Sequence, residues 1–336
     1  MAIDAARKIE QFGRMVTDRT AHEPVWKECF DYTFPLRGSG ISQSMVDATQ
    51  AQDRLAELCD STSTDAGRTC AALVMGGNTP ANSRWFGLSV GNDTPEERRW
   101  LDESAQLLWE NIHASNFDAQ AFECCLDIVA GGWFVLYIDE DRERGGLHFE
   151  QWPIGECYIA CSKPGGQVDT VYRKYQLTAA QAYSRWGNRC SEKVRTLASD
   201  KPMELVWFLR VIEPRAMYVP GSKRARNLPF ASCDIEFDSK TLLNESGYHE
   251  FPCAVPRWHN IPGTAYAVGP TFDALPAIKR LNKLSRMELA AADLAISGMW
   301  IAEDDGVLNP RTVKVGPRKV VVANSVDSMK PLLTGS

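Results

Sequence analysis

Asp139, Asp141 and Glu143 are the acids of this chain whose spacing best suits a divalent cation, and a bound Mg²⁺ would activate water for phosphodiester cleavage. The same stretch also contains Arg142, Arg144, Gly145 and Gly146, the composition of a charged hairpin turn, and that is the reading adopted. The five histidines (His22, His113, His148, His249, His259) have no acid or cysteine partner at a motif spacing. Cys124 and Cys125 are adjacent, so on a helix their sulfurs point about 100° apart and do not clamp one metal. Cys157 and Cys161 lack a second pair. The sequence contains no phosphate-binding G-x-x-x-x-G-K-[ST] loop, dinucleotide G-x-G-x-x-G after a strand, G-x-S-x-G elbow or H-E-x-x-H helix. No catalytic residue, metal or cofactor is assigned.

Cations form the second chemical group. Lys279, Lys283 and Arg286 recur at spacings of four and three residues, so they share one helical face, with Arg280 beside them. They sit in the first half of a long helix, where the backbone dipole disfavours positive charge. A neighbour's acids or phosphate would hold them there. Farther on, Asp293, Glu303, Asp304 and Asp305 reverse the sign, and Arg311, Lys314, Arg318 and Lys319 restore it.

The elements that must carry these groups follow from periodicity. The first thirty residues have helical spacing, with Ile3, Ile9, Phe12, Met15 and Val16 on one face. A helix from Ser61 is expected to stop at Gly76-Gly77-Asn78-Thr79-Pro80. Asp93-Thr94-Pro95-Glu96-Glu97 starts another that runs toward His113, and a further helix follows from Asn116 to Ala130. The period then shortens. Trp133–Ile138 with Leu147–Trp152, and Cys157–Ala160 with Val168–Tyr175, read as hairpins. A short Thr-capped helix spans Thr178–Trp186, strands return at Met203–Ile212 and Cys233–Phe237, and Pro220–Pro229 is a basic loop. Helical spacing resumes from Pro270 to about Ile301, where Leu275, Ile278, Leu281, Leu284 and Leu289 give more apolar surface than a lone exposed helix needs. Short β-like pieces follow at Thr312–Val315 and Lys319–Val322.

Composition bounds the class. A 336-residue chain with 44% hydrophobic residues builds a core without disulfide staples, so the ten cysteines read as buried free thiols of a reducing compartment. Charged residues interrupt Met1–Asp18, which excludes a signal-peptide core, and no apolar run approaches a membrane span of about 18 residues. The net charge of −6 argues against a module that wraps DNA tightly by neutralising phosphates, but allows loose handling by local basic bands.

Taken in order, the residues resemble a family. Asp60-Ser61-Thr62 leads to Thr79-Pro80 and Trp85-Phe86-x-Leu88, then Ser115-Asn116-Phe117 and Gly131-Gly132-Trp133-Phe134-Val135-Leu136. Pro153-Ile154-Gly155-Glu156-Cys157-Tyr158-Ile159-Ala160 precedes Val168-Asp169-Thr170-Val171-Tyr172-Arg173, Leu177-Thr178-Ala179 and Trp186-Gly187. Gly247-Tyr248-x-Glu250-Phe251-Pro252, Pro256-Arg257-Trp258 and Tyr266-x-Val268-Gly269-Pro270 run into Ala274-Leu275-Pro276-x-Ile278-Lys279-x-Leu281-Asn282. This collinear set resembles the head-to-tail connector, or portal, proteins of short-tailed phages, over essentially the whole chain.

The resemblance implies an α+β portal fold. Residues 1–268 would be a mixed α/β wing, with helices over 3–20, 61–75 and 95–130 and a β-rich part over 132–258. Residues 269–302 would be the first stem helix and 303–336 a small β-containing clip, with the second stem helix and C-terminal crown absent from this chain. It further implies a non-enzymatic, twelve-subunit ring at one capsid vertex, forming the channel for packaging and ejection of double-stranded DNA. Implied partners are the major capsid protein, scaffold, terminase and a tail adaptor, without a membrane, in the virion and in host cytoplasm during assembly. Lys279, Arg280, Lys283 and Arg286 would line the channel or meet the next subunit, and Arg311, Lys314, Arg318 and Lys319 would dock the motor or adaptor. The alternative is a metal-dependent nuclease using Asp139, Asp141 and Glu143.

Overall fold

The structure, a computed structural model, describes residues 4–38, 40–41, 48–91, 94–141, 145–297, 300–303 and 320–323. Two compact units divide the chain: Met1–Glu57 with Ser61–Pro276, and Leu58–Asp60 with Ala277–Ser336.

The larger unit opens with α1 (Ala5–Thr20), capped by Asp4, whose carboxylate accepts from the Ala6 amide at 3.0 Å. The helical spacing of the first thirty residues is carried by two helices, not one. Chain direction changes at Ala21-His22, and α2 (Glu23–Thr33) restarts with Pro24 in its first turn, where the missing amide hydrogen costs nothing. The break lets Arg19 fold inward. Its fully buried guanidinium donates to the carbonyls of Gly155 (3.2 Å), Cys157 (2.6 Å) and Ile41 (2.7 Å) and pairs with Glu23. Short α3 (Pro35–Gly38) and α4 (Ala48–Glu57) follow. Helix α5 (Thr62–Asn78) runs through Gly76 and Gly77, ends within the expected Gly76–Pro80 stop, and is closed by the Thr79 amide on the Met75 carbonyl. Helix α6 (Pro95–Ala114) begins at the expected cap, with Thr94 and Glu97 forming a reciprocal capping box. Helix α7 (Phe117–Gly131) is buried along its C-terminal half.

Antiparallel sheets of three, five and two strands complete this unit among the described residues. Strands β1 (Val135–Glu140) and β2 (Leu147–Trp152) form the expected hairpin. Strands β3 (Cys157–Ala160), β4 (Thr170–Thr178), β5 (Leu205–Pro214), β6 (Phe230–Glu236) and β7 (Thr241–Tyr248) form a meander in that order. Helices α8 (Ala179–Trp186) and α9 (Glu192–Asp200) lie between β4 and β5, α8 beginning with a Thr178–Gln181 capping box. The short β8 (Cys253–Ala254) adds to β1, and β9 (His259–Asn260) pairs with β10 (Ala267–Val268). Arg210 on β5 ties the sheets together: one guanidinium nitrogen donates to the hydroxyls of Tyr137 on β1 (2.7 Å) and Tyr248 on β7 (3.1 Å). The main core gathers Trp26, Trp133, Trp152 and Tyr266, with the Trp26 indole donating to the Ala267 carbonyl at 2.9 Å.

Helix α10 (Pro270–Ser297) is followed by β11 (Trp300–Glu303), which pairs in parallel with β12 (Val320–Ala323). The β-like piece expected at Thr312–Val315 lies outside the described residues. Helices and antiparallel sheets segregate along the larger unit, as an α+β fold requires.

Candidate assembly and channel surface

Helix α10 starts on the tightest backbone contact of the fold. A Cβ on Gly269 would stand 2.4 Å from the Val129 carbonyl oxygen at the end of α7. A Cβ on Gly132, whose φ is +88°, would stand 2.1 Å from the Val268 carbonyl carbon. Thr271 and Leu275 bury the first turns, and Pro276 then removes one rung of the helical ladder. Past it, one side of the helix holds residues 58–60. The Asn282 side-chain oxygen accepts from the Cys59 amide at 2.7 Å, and the Ser285 hydroxyl lies 3.5 Å from an Asp60 carboxylate oxygen.

Helical geometry separates the rest into two further faces. Leu281, Leu284 and Met287 fall within a sector of about 120° at 100° per residue, and all are exposed, Leu284 by 45% and Met287 by 58%. Arg280 sits inside this apolar sector. Lys279, Lys283 and Arg286 occupy a separate sector of about 60°, Lys279 half-buried and the other two exposed. The apolar signal in the sequence therefore divides: Leu275 is buried, Ile278 half-buried, and Leu281, Leu284 and Leu289 are exposed. Met287 was not singled out by sequence, although its spacing of three from Leu284 marks it. Arg311, Lys314, Arg318 and Lys319 lie outside the described residues.

The acids of the β1–β2 turn are placed differently. Asp139 and Asp141 line an open cavity of about 850 Å³ with Asn111, Asn116 and His148; Glu143 lies outside the described residues. Both Asp139 oxygens are engaged, one accepting from the Tyr137 hydroxyl at 2.7 Å and the other from the Glu140 amide at 2.9 Å. Burial pushes the Tyr137 hydroxyl above its ordinary range, so it stays protonated and acts as a donor. The Asp141 amide and carbonyl close the turn on Gly146 and Gly145. Among the described residues no three His, Cys, Asp or Glu side chains converge as a metal site. This arrangement gives the nuclease reading no support. His113, which sequence left without a partner, sits 2.9 Å from Asp118 and braces the α6–α7 corner.

The sequence matches the family model described as bacteriophage head to tail connecting protein over residues 5–334. It is similar to the probable portal protein of Bordetella phage BPP-1, at 29% identity over 309 residues, covering 87% of this chain and 54% of that relative. It is also similar to the portal protein of Salmonella phage epsilon15, at 27% identity over 342 residues, covering 97% of this chain and 59% of that relative. The chain spans little more than half the length of these curated relatives.

Proposed function

The chain belongs to the bacteriophage head to tail connecting protein family, and from that membership we propose that it acts as a portal subunit, one of a ring of copies through which DNA enters and leaves the capsid. The family match across nearly the whole chain carries this reading. In it, residues 1–268 are the wing against the capsid shell, 269–302 the first stem helix and 303–336 the clip. The role is geometric rather than enzymatic. Capsid protein and scaffold meet the wing, and terminase and a tail adaptor meet the clip through Arg311, Lys314, Arg318 and Lys319. The subunit assembles in host cytoplasm and ends in the virion.

The faces of α10 support a division of labour. An apolar sector that its own chain leaves exposed suits the next copy, so Leu281, Leu284 and Met287, with Arg280 among them, are the contact between copies. The sector of Lys279, Lys283 and Arg286 then faces the channel. The exposed Lys283 and Arg286, with half-buried Lys279 beside them, are long cations that hold phosphate transiently and let it go, which suits passage without sequence preference.

Negative-stain imaging of the purified full-length protein tests the reading: rings with a central channel are expected. A protein that remains a compact monomer at micromolar concentration overturns it.

A further inference from the structure

Two exposed patches of the larger unit carry opposite charge around apolar centres. On α6, Glu96, Trp100, Glu103, Leu107 and Glu110 recur at spacings of four, three, four and three residues and make one stripe. Trp100 is 66% and Leu107 60% exposed, and the three glutamates are exposed as well. The opposite side of α6, with Leu101 and Ala105, is the buried one, and the stripe's own contacts are surface pairs within the helix, Glu103 with Arg99 and Glu110 with Gln106. The helix as a whole has five acids against two arginines.

The loop joining β5 to β6, residues 215–229, is the converse. It holds Arg215, Lys223, Arg224 and Arg226 and no acid, and it turns Met217 (89% exposed), Tyr218 and Val219 outward. The loop has a fixed shape. The Val219 amide donates to the Asn227 carbonyl at 3.0 Å, the Arg215 amide to the Pro229 carbonyl at 2.7 Å, and Arg215 pairs with buried Glu245 at 3.2 Å. Arg226 also reaches Glu245, while its side chain remains 72% exposed. A surface fixed before binding loses little entropy on docking.

Copies related by rotation in a closed ring use two different surfaces on each subunit, one for each neighbour. These patches meet that requirement. They differ in place, with α6 on α7 and the loop on β7. Their charges are opposite, and each centres on the Trp, Tyr, Met and Arg side chains that dominate interface energetics. We propose that the acidic α6 stripe of one copy receives the basic β5–β6 loop of the next. This rests on the ring reading above and adds to it the pair of surfaces that meet in the wing.

Charge exchange tests it in the full-length protein. Glu96→Lys, Glu103→Lys and Glu110→Lys together, or Lys223→Glu and Arg224→Glu together, should each raise the concentration for half-assembly by roughly tenfold or more at low salt. A mixture of the two variants should recover rings, because alternating copies restore complementary contacts on both sides. All five side chains are exposed, and circular dichroism of each variant checks that it folds. If the wild-type protein forms no ring, the ring reading fails and this proposal with it. Wild-type rings together with unchanged midpoints for both variants overturn this proposal alone, and reduced capsid incorporation by such rings would then assign the patches to the shell. Loss of rings in both variants without recovery on mixing overturns the pairing.

Discussion

Helices α7 and α10 are both rich in apolar side chains, yet the chain treats them in opposite ways. Ten of the fifteen residues of α7 are buried, enclosed by α2, α5 and the β1–β2 hairpin. Even its Asp127 is enclosed, paired with Arg37 at 2.6 Å and hydrogen-bonded by Gln151. Burial raises that carboxyl despite the arginine, so its solvation has been given up for position. On α10, Leu281, Leu284, Met287 and Leu289 stay exposed. Fully removing such a side chain from water yields about 1.5–3 kcal/mol, and on α10 roughly half of that area is still in water. Helix α7 stabilises its own chain, whereas α10 leaves an apolar face that the proposed ring would cover.

Substitutions can break this contrast. Gly132→Ala, at the end of α7, should have the largest effect, about 3 kcal/mol or more of lost stability in urea denaturation, because it combines a positive φ with a clash against the 268–269 backbone. Ile128→Ala should follow at about 2–4 kcal/mol. Leu284→Asp should change monomer stability by no more than about 0.5 kcal/mol while sharply reducing ring yield in sedimentation, and a destabilised monomer would show that the leucine is already covered. Lys279→Glu, Lys283→Glu and Arg286→Glu together should leave rings intact but lower DNA retention. Loss of the rings themselves in a salt-sensitive manner would move this sector to the contact between copies. The mildest test is thiol labelling. Burial pushes the Cys125 thiol up to about 11 and leaves Cys124 higher still, so at pH 7.5 both should react with maleimide only on unfolding, after half-buried Cys59 beside α10.

Local chemistry made part of this legible in the sequence. Thr94 with Glu97 and Thr178 with Gln181 announce their helices through short-range hydrogen bonds, and the β1–β2 hairpin follows from alternation about a charged turn. Long-range packing hid the rest. Gly76 and Gly77 stay helical although each costs about 1 kcal/mol relative to alanine, and the packing of α5 on α7 provides a reason that no local window contains. Helix α9 and strand β7 were not anticipated from sequence. Leu281 and Leu284 were readable from their spacing, but Arg280 was grouped with the lysines until helical geometry placed it among the leucines. Glu96, Trp100 and Glu103 sat inside a well-marked helix, and only burial shows which side of it faces outward.

The guanidinium of Arg19 sets a timetable. Of its carbonyl partners, Ile41 lies 22 residues away, but Gly155 lies 136 residues away. At about 5–20 residues per second, a ribosome takes roughly 7–27 s to make that separation. Until then Arg19 has only Glu23 and the Ile41 carbonyl within reach, and the ring of Phe12 lacks Tyr158, against which the finished fold packs it edge-on at 4.7 Å. Helix α1 therefore waits for β3 before it can dock, and a nascent chain spends that interval with the amphipathic face of this helix uncovered.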